Sequence, residues 1–382
     1  MKKVLWVSDG VVPTGFSRVA HAIISRLEDK FDIHHLALNY DGTPHEYNHK
    51  IYPASLGGDI YGVNQLKRIL SKNPGYFDTV FLFNDMPIID MYLENIKDII
   101  NKDKTKIVVY FPVDSKFPRI EWFRNYNIVD EVVTYTNFGK REVERVLKFK
   151  NIHVIYHGVD RNKFPKIDKP EAIAKIFGEP LVEELKDSFI ILNANRNQPR
   201  KRIDLTIAGF AEFVHKNMLT PEDVRLYLHM GTRDVGWDIL RLSNYYKVQH
   251  YILLTANTPY HPYVDDETLA HIYNIADAGI NTSSGEGFGL FPVELASVGK
   301  PQIVPDNSVH RELFEEYAYY IRCNIEDWAV GHTVLFKSAT KEEVAYAIED
   351  MFYSEKKLES WKPFEDKKFD WDYISEQFGR LL

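Results

Sequence analysis

Asn281-Thr282-Ser283-Ser284-Gly285-Glu286-Gly287-Phe288-Gly289-Leu290-Phe291-Pro292-Val293-Glu294 follows the apolar run Ala278–Asn281 and leads into Pro292–Val298, a segment of helical character. The pattern is strand, Gly-rich turn, helix, with the helix starting near Gly289. Three glycines let the backbone bend sharply and approach a ligand closely. A helix N-terminus presents unpaired N–H groups and partial positive charge, which suits a phosphate. Seven residues separate Glu286 from Glu294. On a turn followed by a helix, that spacing brings both carboxylates to one side of a bound ligand. By spacing alone, an ordinary strand-to-helix turn with two surface glutamates fits equally well.

A second loop of the same kind lies upstream. Leu192-Asn193-Ala194-Asn195-Arg196-Asn197-Gln198-Pro199-Arg200-Lys201-Arg202 leaves the apolar run Phe189–Asn193 and enters the helical stretch Ile203–His215. Arg196, Arg200, Lys201 and Arg202 crowd onto it. Arginine offers paired N–H groups to phosphate oxygens and lysine a point charge. Taken singly, a solvated basic turn is the plainer reading. Two such loops at the C-terminal ends of strands in one sheet are harder to dismiss.

Around these loops, short apolar runs alternate with amphipathic stretches, as in parallel sheets with crossover helices. In the first half the strand candidates are Lys3–Ser8, Ile33–Leu38, Thr79–Phe83, Lys106–Phe111, Glu131–Tyr135 and His153–Tyr156. Ser17–Leu27, Asp59–Leu70 and Thr136–Leu147 are the clearest helices. Arg161–Asp168, polar and broken by Pro165, reads as a linker and hinge. A second series follows, with strands Phe189–Asn193, Arg225–His229, Ile252–Leu254, Ala278–Asn281 and Pro301–Val304. Its helices are Ile203–His215, Asp266–Asn274, Pro292–Val298 and Lys341–Phe352. The expectation is an α/β chain of two doubly wound domains facing each other across a ligand cleft: 1–165, then 166–362, with 363–382 a helix packing back on the first.

Composition narrows the function classes. A chain of 382 residues exceeds one average domain, and 45% hydrophobic residues suffice for two cores. The net charge of -8 argues against a nucleic-acid partner. Residues 1–165 carry net +3 and the remainder net -11. That asymmetry leaves an anionic acceptor or a peripheral membrane contact open for the first half, against the plainer reading of a solvated surface. The single cysteine, Cys323, forms no internal disulfide. No apolar run reaches the roughly 18 residues a membrane helix needs. A cytoplasmic location is the expectation.

Residues 275–304, IADAGINTSSGEGFGLFPVELASVGKPQIV, resemble the signature segment of family 4 glycosyltransferases, retaining enzymes of GT-B fold. In that family two glutamates with seven residues between them precede a small-residue helix and a Gly-x-Pro. Here these are Glu286, Glu294 and Gly299-Lys300-Pro301. The family's arginine, followed five residues later by a lysine, matches Arg196 and Lys201. Residues 152–164 resemble the interdomain segment, with His157 where Asn is usual, and 132–144 the strand and helix before it. Phe369 onward is similar to the closing helix. Within the family, the pattern lies near algal-virus (chlorovirus) members.

The resemblance implies roles. Glu286 would contact donor-sugar hydroxyls, the backbone at Gly287, Phe288, Gly289 and Leu290 a phosphate, and Glu294 the ribose. Arg196 and Lys201 would stabilise charge on the departing diphosphate. Gly15, in Thr14-Gly15-Phe16, stands where the family has paired glycines in its first-domain loop. Tyr110-Phe111-Pro112-Val113-Asp114 lacks the usual histidine, and Asp114 is the acceptor-side candidate. Asn257, after the Ile252–Leu254 strand, is the candidate base contact.

Other features are set aside. Gly285-x-Gly-x-Gly289 has the wrong spacing for a dinucleotide fingerprint. Asp370-Trp371-Asp372 matches a short metal motif but lies in the closing helix. His34, His35, His45 and His49 show no ligand spacing. The implied reaction moves a hexose without a metal or other cofactor, from GDP-mannose first and UDP-glucose second, to a glycan or other glycoconjugate. A non-catalytic nucleotide-sugar-binding scaffold and a sugar-nucleotide epimerase are the alternatives.

Overall fold

The computed structural model describes residues 1–55, 58–354 and 367–382. They form two compact units: residues 1–158 with 367–382, and residues 159–354. The expected boundary at 362/363 lies outside the described residues.

The first unit runs β1 (Lys3–Asp9), α1 (Gly15–Leu27), β2 (Asp32–Leu38), β3 (Lys50–Pro53), α2 (Val63–Lys72), β4 (Thr79–Phe83), α3 (Met86–Ile96), β5 (Lys106–Phe111), β6 (Glu131–Thr134), α4 (Asn137–Glu144) and β7 (Ile152–Val154). All seven strands are parallel, in the order β3-β2-β1-β4-β5-β6-β7. Helices cover both faces of such a sheet, so its inner strands are apolar on both sides. Val4–Val7, Val80–Phe83 and Ile107–Phe111 are accordingly fully buried.

Most of the first series stands within a residue or two of the expected bounds, but α2 starts at Val63 rather than Asp59. Asp59 instead accepts from the backbone N–H groups of Tyr61 and Asn64, and Gly62 takes a left-handed φ of 66°. β3 was not anticipated: it is a four-residue edge strand ending in Pro53, a residue an edge tolerates. Nor was α3, which carries Pro87 in its first turn.

The second unit runs α5 (Lys169–Phe177), α6 (Val182–Leu185), β8 (Phe189–Asn193), α7 (Ile203–Lys216), β9 (Val224–Leu228), α8 (Ile239–Tyr245), β10 (Ile252–Leu254), α9 (Asp266–Ile275), β11 (Ala278–Ile280), α10 (Leu290–Ser297), β12 (Gln302–Pro305), α11 (His310–Phe314), β13 (Ala318–Ile321), a hairpin of β14 (Ile325–Trp328) and β15 (Leu335–Ser338), and α12 (Lys341–Tyr353). Its parallel sheet has the order β10-β9-β8-β11-β12-β13. β13, the hairpin, α5, α6, α8 and α11 were not anticipated. The hairpin strand β14 is exposed along its length and offers no apolar pattern to read.

The closing helix, α13 (Trp371–Leu381), belongs to the first unit, as its expected packing requires. Phe378 meets the rings of Phe81 and Tyr110, and the Leu382 carbonyl accepts from Thr79 Oγ1. Asp370 caps this helix, accepting from the N–H groups of Asp372 and Tyr373, while Asp372 pairs with Arg26 at 2.6 Å. Capping and pairing account for both aspartates of the Asp-x-Asp triplet.

Candidate functional site

In each sheet the strand order reverses direction once, between β1 and β4 in the first and between β8 and β11 in the second. Loops leaving the C-terminal ends at such a point diverge and open a crevice. In the second unit these are 194–202 and 281–289, the two loops singled out by sequence. Hydrogen bonds join them. Ser284 donates its backbone N–H to the Arg200 carbonyl at 2.9 Å, and Thr282 Oγ1 donates to the Arg202 carbonyl at 2.8 Å. Behind them Thr206 Oγ1 meets Thr282 Oγ1 at 2.6 Å and accepts from Asn193 Nδ2. Arg202 holds a left-handed φ of 50° at the start of α7, a strained state for a residue with a Cβ.

This seam puts Lys201 beside Glu286. Lys201 Nζ donates to Glu286 Oε1 at 2.5 Å, Arg200 Nη1 donates to Oε2 at 3.0 Å, and Asn281 Nδ2 donates to Oε1 at 3.3 Å. Glu286 is 3% exposed. Burial alone would raise its carboxyl pKa, but the charges of Lys201 and Arg200 outweigh it and hold the group well below the usual carboxylate range. Glu286 is therefore an ionised acceptor at neutral pH. Two cations against one carboxylate leave an excess positive charge in this cluster, at the strand ends where an anion would enter.

Gly289, with φ 89°, turns the chain into α10. Glu294, one turn into that helix, is buried, and its Oε2 accepts from Tyr273 Oη at 2.8 Å. Phe288 is buried beside the turn. His310 lies fully buried next to Gly289 and Glu286, and burial pushes its pKa down to about 4. The backbone N–H of Glu286 donates to Ser308 Oγ at 3.1 Å. The loop after β12 thus joins the site, which strand position alone could have suggested.

Arg196 lies elsewhere on its loop. Its guanidinium forks onto Asp234, with Nε to Oδ2 at 2.7 Å and Nη2 to Oδ1 at 3.1 Å. Asn197, fully buried, fixes this arrangement by donating to the carbonyls of Gly231, Arg233 and Trp237. Arg200, rather than Arg196, is thus the second cation on Glu286. Asp234 and Tyr273 carry no sequence signal, because each comes from a distant element. Asn257 is exposed on the loop after β10, an edge strand. Next to that strand, His229 Nδ1 meets Thr255 Oγ1 at 2.8 Å.

In the first unit, Gly15 is the exposed first residue of α1. Thr14 caps the helix, accepting from the Ser17 N–H, and donates to Asp9 Oδ2 at 2.6 Å. Asp114 is half-buried in the loop after β5.

Residues 179–367 match the family model described as Glycosyl transferases group 1. Mannosylfructose-phosphate synthase of Agrobacterium fabrum is 31% identical over 176 residues, 45% of this chain and 36% of that protein. Serotype-specific mannosyltransferase WbdA of Escherichia coli is 32% identical over 133 residues, 35% of this chain and 15% of that one. The chain thus spans well under two thirds of either relative. Sucrose-phosphate synthase from Thermosynechococcus elongatus superimposes with a TM-score of 0.74 at 14% identity, covering 100% of this chain and 98% of that one. Anabaena HepE in complex with UDP and glucose does so with a TM-score of 0.71 at 15% identity, covering 100% and 99%. The fold is that of GT-B glycosyltransferases.

Proposed function

We propose that this chain, which carries a group 1 glycosyltransferase domain, is a retaining, metal-independent hexosyltransferase. It moves mannose from GDP-mannose to a glycan or other glycoconjugate. The observation that carries the reading is Glu286, ionised and buried between Lys201 and Arg200 beside the Gly289 turn into α10. The choice of mannose rests on two relatives named for mannose chemistry. UDP-glucose is the second donor reading, favoured by the structural likeness to HepE with UDP and glucose.

In the proposed reaction the bond between the sugar C1 and the diphosphate oxygen breaks, and its electron pair leaves with the diphosphate. A bond from C1 to an acceptor hydroxyl oxygen forms on the same face, and the hydroxyl proton passes to the departing phosphate. Glu286 accepts hydrogen bonds from the sugar hydroxyls. The N–H groups of Phe288, Gly289 and Leu290 receive phosphate oxygens at the N-terminus of α10. Lys201, with Arg196 and Arg200, stabilises the charge that builds on the diphosphate. Glu294 takes the ribose hydroxyls and Asn257 the base. The acceptor side is assigned to the first unit, with Asp114 as its candidate.

The test follows GDP release from GDP-mannose with and without a panel of mannosides, in the presence of EDTA, with the anomeric configuration of the product read by NMR. The reading expects acceptor-stimulated release and an α-linked product from the α-linked donor. No turnover of GDP-mannose or UDP-glucose in any acceptor panel would move the weight to a nucleotide-sugar-binding scaffold.

A further inference from the structure

Three histidines that lie 14 residues apart in sequence converge in the first unit. His21 is on α1, His35 on β2, and His49 just before β3. One ring nitrogen from each lies within 4.8 Å of the other two. His35 is fully buried and His21 is 9% exposed. The even spacing hides the cluster in sequence, because metal motifs are recognised by short intervals between ligands.

The hydrogen bonds around the rings assign the protons. His21 Nε2 lies 3.1 Å from the Gly10 carbonyl, which only accepts, so Nε2 carries the hydrogen. Its Nδ1 is buried and has no hydrogen-bond partner. His35 Nε2 lies 3.0 Å from Ser8 Oγ, whose own hydrogen goes to the Asp9 carbonyl, so Nε2 is again the donor. His49 Nδ1 lies 3.5 Å from the Glu28 carboxylate, whose negative charge favours the tautomer with the hydrogen on Nδ1. What remains are three lone pairs, on His21 Nδ1, His35 Nδ1 and His49 Nε2. Two of these nitrogens, His35 Nδ1 and His49 Nε2, stand 3.4 Å apart. In these tautomers that contact is a meeting of two lone pairs rather than a hydrogen bond.

We infer that these three imidazoles form a binding site for a divalent ion of zinc type. Tetrahedral zinc with Zn–N bonds of about 2.0–2.1 Å places its nitrogens about 3.3–3.4 Å from one another. The other ring nitrogen of each histidine already holds a partner of the kind that orients metal ligands: a backbone carbonyl, a hydroxyl and a carboxylate. Tyr47 stacks on the His21 ring, with centroids 3.5 Å apart, and covers the cluster. The ion would tie α1, β2 and the segment before β3 together. Through His21 and Gly10 it would steady the loop that carries Thr14 and Gly15. It takes no part in sugar transfer as proposed above, and the site stands whether or not that proposal does.

The test uses the full, untagged chain, stripped with a chelator and dialysed. Zinc is titrated in competition with a chromophoric chelator, and cobalt is used for its visible spectrum. Expected are one equivalent of zinc, a raised melting temperature with zinc, and the intense visible bands of tetrahedral cobalt. His49→Gln should weaken zinc binding more than about 10-fold, and Glu28→Gln, which alters only the outer partner, by about 10-fold or more. Circular dichroism of both variants confirms folding. Substoichiometric zinc in the folded wild-type chain would overturn the inference. So would zinc binding unchanged in folded His49→Gln, which would place the metal on surface histidines.

Discussion

Removing Lys201 acts on Glu286 in two ways. It takes away a group assigned to the departing diphosphate, and it leaves a buried carboxylate with Arg200 as its remaining cation from this pair. Lys201→Ala is expected to lower turnover by about 100–1000-fold, the usual scale for losing a charge-stabilising donor. Steady-state kinetics should show a lower kcat together with a higher donor KM. Glu286→Gln is expected to destabilise the chain by up to about 3 kcal/mol. That is the lower end for breaking a buried pair, because Arg200 is 28% and Lys201 13% exposed. Since the folded state holds Glu286 below its ordinary pKa, its stabilisation is present above the unfolded value of about 4.3 and is lost as pH falls below it. Urea midpoints between about pH 3 and 6 should therefore fall less steeply in Glu286→Gln than in the wild type. At this scale the sequence offered Lys201, Arg200 and Glu286 as candidates but not the partners of Arg196 and Glu294. Asp234 comes from the loop after β9, Tyr273 from α9 and His310 from α11, and no local spacing records such contacts.

At the scale of elements, the turn into α10 depends on Gly289. A Cβ there would find ordinary contacts, the nearest being Pro292 Cγ at 3.4 Å, so the cost of Gly289→Ala lies in the left-handed backbone. A loss of about 1–2 kcal/mol is expected, read as a lower urea midpoint, together with weaker nucleotide binding as the N–H groups shift. At the other end of the chain, Asp370→Ala removes the cap of α13 and should cost about 1 kcal/mol, with no change in the response of activity to added metal ions. A metal-dependent loss would return this aspartate to a catalytic role. Elements with continuous apolar runs, such as β4, β5 and β8, were legible to the residue because burial on both faces leaves an unbroken signal. β3 and the β14–β15 hairpin were not, because they lie at edges or on the surface where no such constraint acts.

For the whole molecule, the two-unit organisation was readable because the alternation of strand and helix repeats twice. The three-histidine cluster was not, since it depends on how α1, β2 and the chain before β3 meet in space. Buried histidines also shape the molecule's acid response. His157 and His229 are pushed down to about 3 and His310 to about 4, chiefly by burial. Groups held neutral in this way stabilise the fold above their unfolded pKa of about 6.5, and that stabilisation is lost as pH falls toward the folded values. The urea midpoint should therefore decline from about pH 6.5 downward, before the carboxylates titrate. Substituting His310 with Gln should shallow that decline.

The central claim is that the loops after β8 and β11 hold a nucleotide-diphosphate sugar through Lys201 and the α10 N-terminus without a metal. Thermal unfolding of wild type and Lys201→Ala with GDP, GDP-mannose, UDP and UDP-glucose, each with EDTA or magnesium, tests it most directly, since a ligand of the folded state raises Tm by mass action. The account predicts a rise with GDP and GDP-mannose in wild type, equal in EDTA and magnesium, that shrinks in Lys201→Ala. No rise with any of the four at millimolar concentration, or an equal rise in the variant, would contradict it.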